Sequence, residues 1–291
     1  MLWVSHATLV RETLFQGILL NEAPLRIGAG TEPVLGSSAD LAVLRIPYNG
    51  VDFPYVPGSS LKGAFRGLAT LLVRQKGLST CTGFAGDTCM DKLSEQIHDL
   101  WRKKREEEAV KLFNSRACLL CKIFGSLMYR GLVSFSDAYP WDEKGNPYSF
   151  KFGSRVGVRI GRETGSVVPG GFFASEYIEP GARFRFLIKS TNLPTYALGL
   201  LSKCLLFLNE GEIKIGGFKT KGFGKVKVEQ LQFRTRDLPQ EGVKMRALDD
   251  KDLEVGLPLV KEEEWLVARE REAWEILKRL AEVWDRASLS D

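Results

Sequence analysis

Apolar positions along this chain fall into short blocks, some alternating with polar residues and others spaced three and four apart. Residues 13–20, TLFQGILL, form a compact run too short for a good helix and read as a strand. Residues 60–76 place Leu61, Ala64, Phe65, Leu68 and Leu72 on one helical stripe. A charged helix is predicted over 93–113, with Leu93, Ile97, Leu100 and Trp101 as its apolar face. Residues 132–138, LVSFSDA, alternate as a second strand, and 142–146 make a turn. Residues 156–171 read as a strand followed by a mobile, glycine-rich excursion. Residues 172–178 and 182–189 then pair as a hairpin around Pro180-Gly181. A second helix spans 194–209, and 224–233 alternate as the last strand.

Strand, helix, strand, strand, helix, strand is the ferredoxin-like order, so an α+β, RRM-like core with large insertions is expected. RNA-recognition modules share this order, although a fold does not assign a function. Residues 1–233 form the core domain, with an insertion at about 78–130 and an excursion at about 156–180. Residues 234–259 are polar and poorly periodic and read as a connector. Residues 260–291 add a charged C-terminal helix whose stripe, Leu266, Ala273, Leu277, Leu280 and Trp284, is expected to pack on the chain's own domain, with a neighbouring subunit as the alternative.

Charge sharpens this picture. The 291 residues carry a net +5, but from Asp249 onward there are 13 acids against 7 bases, so the preceding 248 residues carry +11. A basic body suits a polyanion, or solubility alone. No apolar run reaches membrane-spanning length and no signal-peptide pattern opens the chain, so it reads as a soluble cytoplasmic protein without a membrane partner.

Three glycine-rich segments carry candidate chemistry. The first strand leads to Gly28 and Gly30, but the third glycine of a dinucleotide fingerprint is missing and Pro33 blocks an immediate helix. Pro57-Gly58-Ser59-Ser60-Leu61-Lys62-Gly63 then opens a helix. Ser59 or Ser60 can cap it, its free N–H groups attract anions, and Lys62 and Arg66, four apart, share one face. Near the end of the core, Gly216-Gly217-Phe218-Lys219-Thr220-Lys221-Gly222-Phe223-Gly224 combines close backbone approach with two lysines and two aromatic rings that could stack on bases. It serves RNA contact or simply joins a helix to a strand. Arg155 and Arg159 fall on one strand face, with Arg162 just beyond, either as an exposed basic strand or as RNA contacts.

Four of the five cysteines, Cys81, Cys89, Cys118 and Cys121, lie in the insertion with the spacing C-x7-C, 28 residues, C-x2-C. Four thiolates can close a structural Zn2+ site, with His98 able to replace one; free thiols or disulfides are the other readings. Cys204 sits in an apolar helix face and reads as core. With two histidines, His6 and His98, and no G-x-S-x-G elbow or phosphate-binding G-x-x-x-x-G-K-[ST] loop, hydrolase and nucleotidase chemistry has little support.

A glycine turn after strand one, an S-x-D loop (Ser38-Ala39-Asp40) and P-G-S-S-L-K-G-x-x-R together resemble the RAMP superfamily of CRISPR-associated proteins. The likeness is greatest to the repeating backbone subunit of type III (Csm/Cmr) effector complexes and runs over residues 14–228. The loop at residues 216–224 resembles the family's glycine-rich loop, and Arg162-Glu163-Thr164 its D-R-x-T step below a thumb hairpin, with Gly161 in place of the acid. The resemblance implies copies of the chain lining a guide RNA beside other type III subunits. Its RNA contacts would be Ser59, Ser60, Lys62, Arg66, Arg155, Arg159, Arg162, Gly217, Lys219, Lys221, Gly222 and Phe223. It places an RNA-cleaving aspartate at Asp40, working with Mg2+ or Mn2+ on complementary target RNA; locally Asp40 is a lone loop acid, and Asp52 competes from a hairpin turn. A non-cleaving RNA-binding cap subunit and a guide-RNA-processing endoribonuclease are the alternatives.

Overall fold

The first apolar run becomes the centre of the molecule. In the computed structural model, which describes residues 3–28, 39–258 and 260–290, it forms β1 (Arg11–Asn21). A lone strand of this kind needs partners on both edges to satisfy its backbone and cover its side chains. The long β8 (Val226–Asp237) and β7 (Arg183–Thr191) supply them, both antiparallel. The short β4 (Val133–Phe135) then pairs with the far edge of β7. Two helices cross over behind this sheet. α1 (Gly58–Gln75) lies between β1 and β4 in sequence, and α5 (Thr195–Glu210) between β7 and β8. The spatial order β8-β1-β7-β4 is fourth, first, third, second, which is the ferredoxin-like arrangement.

Other elements hang on this frame. A small hairpin, β2 (Arg45–Tyr48) and β3 (Val51–Pro54), turns at Asn49 and Gly50, both at positive φ as a two-residue hairpin requires. The predicted single charged helix is two, α2 (Cys89–Arg102) and α3 (Glu106–Arg116), followed by the short α4 (Leu119–Phe124). The break falls at Lys104, whose φ of +56° cannot continue a helix.

β5 (Phe152–Ile160) and β6 (Val167–Ile178) form a hairpin of their own. This corrects two sequence expectations. The excursion after residue 160 is mostly strand, and its second half does not pair with β7. Both edges of β7 are already taken by β1 and β4, so β6 must find its partner in β5. The C-terminal expectation also changes. Before the helix come β9 (Lys244–Met245), β10 (Val255–Gly256), β11 (Val260–Glu262) and β12 (Trp265–Arg269). β12 extends the main sheet beyond β8. The helix itself, α6 (Glu270–Arg286), packs on α5 of its own domain. Gly199 allows this contact, since a Cβ there would come within 2.2 Å of the Leu280 carbonyl.

One buried ion pair fastens the ends of β1 and β8. Arg11 Nε donates to Asp237 Oδ1 at 2.6 Å and Nη2 to Oδ2 at 2.9 Å, with side chains only 1% and 3% exposed. The guanidinium also donates to the Leu193 and Arg246 carbonyls, and the Arg246 N–H donates to the carboxylate. A buried pair is costly to break because the survivor keeps its desolvation penalty. Asp237→Ala is therefore expected to lower unfolding free energy by about 3–5 kcal/mol, read by denaturant titration. A loss below about 1 kcal/mol, the scale of a surface contact, would mean that the pair does not bear on the fold.

Candidate nucleic-acid interface and metal centre

The cysteines of the insertion converge. Cys81 follows α1, Cys89 opens α2, and Cys118 and Cys121 sit at and just inside the start of α4. All four Sγ atoms lie within 4.8 Å of one another. Cys81 is 3.3 Å from Cys121 and 3.8 Å from Cys118. Four sulfurs at tetrahedral zinc distances stand about 3.8 Å apart, so the cluster fits one ion with every position filled by protein. The thiols do not ionise independently. Hydrogen bonds from Cys121 and Cys89 hold Cys118 far below the ordinary thiol range. The same contact with Cys118, and then burial, pushes Cys89 up to about 11, and Cys121 is raised for the same reasons. His98 is not part of the group; its ring stands against Trp101 on the exposed side of α2.

A second constellation forms where the chain leaves β1 and enters β8. The two segments are joined by Gly217 N–H to the Arg26 carbonyl at 2.8 Å and Gly224 N–H to Pro24 at 2.9 Å. Gly216 is required here, since a Cβ would sit 2.3 Å from that carbonyl and its φ is +77°. Lys219–Lys221 make a single exposed 3-10 turn. Phe218 lies between two cations, with Arg26 and Lys221 each 5.1 Å from its ring. Phe223 is 2% exposed, so it is not free to stack on a base; it supports Arg155, whose guanidinium lies 5.0 Å from its ring and 5.8 Å from Tyr177. Arg26 carried no sequence-based role. Burial lowers its pKa, and its Nε is buried without a hydrogen-bond partner. Its position just before Gly28 was the only signal.

The β5–β6 hairpin rises beside this patch. Arg155 and Arg159 share one face, where the Tyr177 and Phe173 rings cover Gly153 and Gly157. Val156, Val158, Ile160 and Phe172 are exposed on the other face, and Arg162 lies exposed in the turn. Asp40 is tied to the same hairpin. Its Oδ2 accepts the Ala174 N–H at 2.7 Å, and Leu41 N–H reaches the Ala174 carbonyl at 3.1 Å. Buried Glu176 holds the next residues by accepting from Val43 N–H at 2.9 Å and pairing with Arg45. Ala29, Gly30 and the loop residues Gly36, Ser37 and Ser38 lie outside the described residues. Asp52 belongs to β3, in the hairpin that the sequence suggested.

Helix α1 departs from expectation at its start. Pro57 is the cap position and Gly58 the first helical residue, so Ser59 and Ser60 lie inside the first turn and neither caps it. The anion there is internal: Asp137 Oδ1 accepts the Gly58 N–H at 2.8 Å. Nothing but a strand-ending S-D-A signalled Asp137. Lys62 and Arg66 do share a face, and burial, then Arg66, holds Lys62 below its ordinary range. Arg66 donates to the Gly125 carbonyl at 2.9 Å, beside the cysteines.

Charge compensation separates these groups from the open sheet face. There Arg183 pairs with Glu229, and Lys189 and Arg236 with Glu12. Among the described residues, Arg26, Lys62, Arg155, Arg159, Arg162, Lys219 and Lys221 have no carboxylate partner.

A family model described as the RAMP superfamily matches residues 22–227. A search of curated proteins found no match. Among solved structures, one match is a chain in "Cryo-EM structure of the Type III-B Cmr-beta bound to cognate target RNA". It is 19% identical, with a TM-score of 0.46, covering 77% of this chain and 61% of that chain.

The cysteine geometry has a direct consequence. Purified protein is expected to hold about one metal ion per four-cysteine cluster, and chelation should lower its melting temperature. Metal-free protein with the same melting temperature before and after chelation would remove the metal centre.

Proposed function

We propose that this chain, which belongs to the RAMP superfamily, is a backbone subunit of a type III CRISPR ribonucleoprotein that binds guide RNA and cleaves complementary target RNA. The observation that carries this reading is the group of cations around the glycine loop that have no carboxylate partner among the described residues, with Asp40 fixed to the adjoining hairpin. Phosphate binding gains from counterion release, which needs cations not already paired with acids. Among the described residues Arg26, Arg155, Lys219 and Lys221 meet that condition, and glycines around them let a backbone approach closely. The β5–β6 hairpin, with apolar residues on one face and arginines on the other, suits a wedge beside a guide–target duplex. Copies of the chain and other type III subunits would complete the assembly. Among the described residues no helix is long and apolar enough to cross a membrane.

For cleavage, one Asp40 oxygen is held by Ala174 N–H, and among the described residues the other has no hydrogen-bond partner and would meet the RNA. Asp40 would orient or deprotonate a target 2′-hydroxyl as its oxygen attacks the adjacent phosphate, or would instead help hold the metal ion. The P–O5′ bond breaks and the departing oxygen takes a proton from water, leaving a 2′,3′-cyclic phosphate and a 5′-hydroxyl. Mg2+ or Mn2+, when bound, would offset the charge on that phosphate. The cysteine cluster is the one group of three or more metal-ligating side chains among the described residues, so such an ion would rest on Asp40 and RNA oxygens. The four cysteines would hold structural Zn2+.

The Asp40–Ala174 hydrogen bond also favours a second reading, a non-cleaving RNA-binding subunit in which Asp40 only shapes its loop. Guide processing by a histidine has less support: His6 contacts the Arg130 carbonyl and His98 sits on α2, both away from the patch.

Asp40→Asn separates the readings, since Asn Oδ1 still accepts from Ala174. Assembly, melting temperature and target affinity should hold while cleavage of guide-complementary RNA falls on the order of 100-fold or more. Asp52→Asn should cut normally. Full-rate cleavage by Asp40→Asn would sink the catalytic assignment. For α1, Lys62→Ala is expected to reduce the salt slope of RNA binding by about 1; an unaltered slope would place Lys62 away from phosphate.

A further inference from the structure

Arg66 projects from α1 into the seam between the two cysteine-bearing segments. Its Nη1 donates to Gly125, the residue that ends α4, and its Nη2 lies 4.0 Å from Cys121 Sγ. On the other side stands Gly83, two residues after Cys81, at φ +80°. A Cβ at Gly83 would come within 2.8 Å of Nη2, so the loop makes room for the guanidinium. One planar cation thus touches the loop after Cys81 and the helix bearing Cys121. Among the described residues it has no carboxylate partner. Four thiolates around one divalent ion leave an excess of two negative charges. A guanidinium with one nitrogen toward that sulfur and the other anchored on the Gly125 carbonyl offsets that excess and helps fix the ligand's orientation, as outer partners of metal ligands do.

We propose that Arg66 is the outer-sphere donor of the cysteine metal centre and serves this centre rather than RNA phosphate. The inference rests on reading the four cysteines as a zinc site. It divides the two α1 cations: Lys62 faces nucleic acid, and Arg66 bolts the cysteine insertion to the core.

The test uses the purified full chain, with Zn2+ and Co2+ affinities measured by chelator competition and the cobalt–thiolate absorption recorded. Arg66→Ala should weaken metal binding by about 10–100-fold and alter the cobalt spectrum. Arg66→Lys keeps the charge but cannot reach both Gly125 and Cys121, so its affinity should fall between; it carries the test if Arg66→Ala does not fold. The salt slope of RNA binding should be the same for Arg66→Ala as for the parent chain. Parent-like metal affinity in both variants would overturn the proposal, as would an Arg66→Ala chain that binds metal normally but loses salt slope. If the parent chain binds neither metal, the zinc reading falls and this inference with it.

Discussion

The antiparallel pairing of β1 with β8 is the constraint on which the rest depends. Its register sets Asn21 opposite Val226, so the exit of one strand and the entry of the other lie side by side. Two segments about 190 residues apart in sequence are thereby joined, Arg26 to Gly217 and Pro24 to Gly224. The glycines between them allow that closeness, and the cations they bring together gather around Phe218 and Phe223. The Arg11–Asp237 pair secures the opposite end of the same two strands, so the register is held from both ends.

The second consequence of this sheet is the β5–β6 hairpin. With β7 enclosed by β1 and β4, the strand before it does not pair with β7. It folds out with β5 and carries Arg155 to Phe223 and Ala174 to Asp40. The candidate RNA site is therefore contiguous through a hairpin that stands outside the central sheet. The open sheet face, by contrast, satisfies its cations internally through Glu12, Glu229 and the Trp265 ring. An ion-paired face gains little from meeting phosphate, since its own pairs must first be broken.

The cysteine insertion follows a different logic. Its helices bury a modest apolar face, with Met90, Leu93, Ile97, Ala109 and Phe113 among the buried residues. Four sulfurs close it on one side, and Arg66 ties it to α1. The cysteine cluster and the candidate RNA-binding helix thus share a wall.

Much of this was legible from residue order. Periodicity marks α1 and β8, because each has one face in the core, while compact apolar runs mark β1 and α5, which are buried on nearly all sides. The C-x2-C pair and its two distant companions announced a cysteine cluster, and P-G-S-S-L-K-G announced a helix start. Local sequence could not decide which strand pairs with β6, because that depends on which edges remain free elsewhere. Nor could it separate residues 260–269 from the helix behind them, since their pairing partner, β8, lies about 30 residues earlier. Three site assignments turned on contacts made across the chain. Phe223 looked like a stacking ring until packing buried it. Ser59 and Ser60 looked like caps until Asp137 reached the helix start. Arg66 looked like the twin of Lys62 until its guanidinium met Gly125 and Cys121. A sequence states which chemical groups a chain owns and which faces they take; only the tertiary structure decides which of those groups are already satisfied by one another and which are left for a partner.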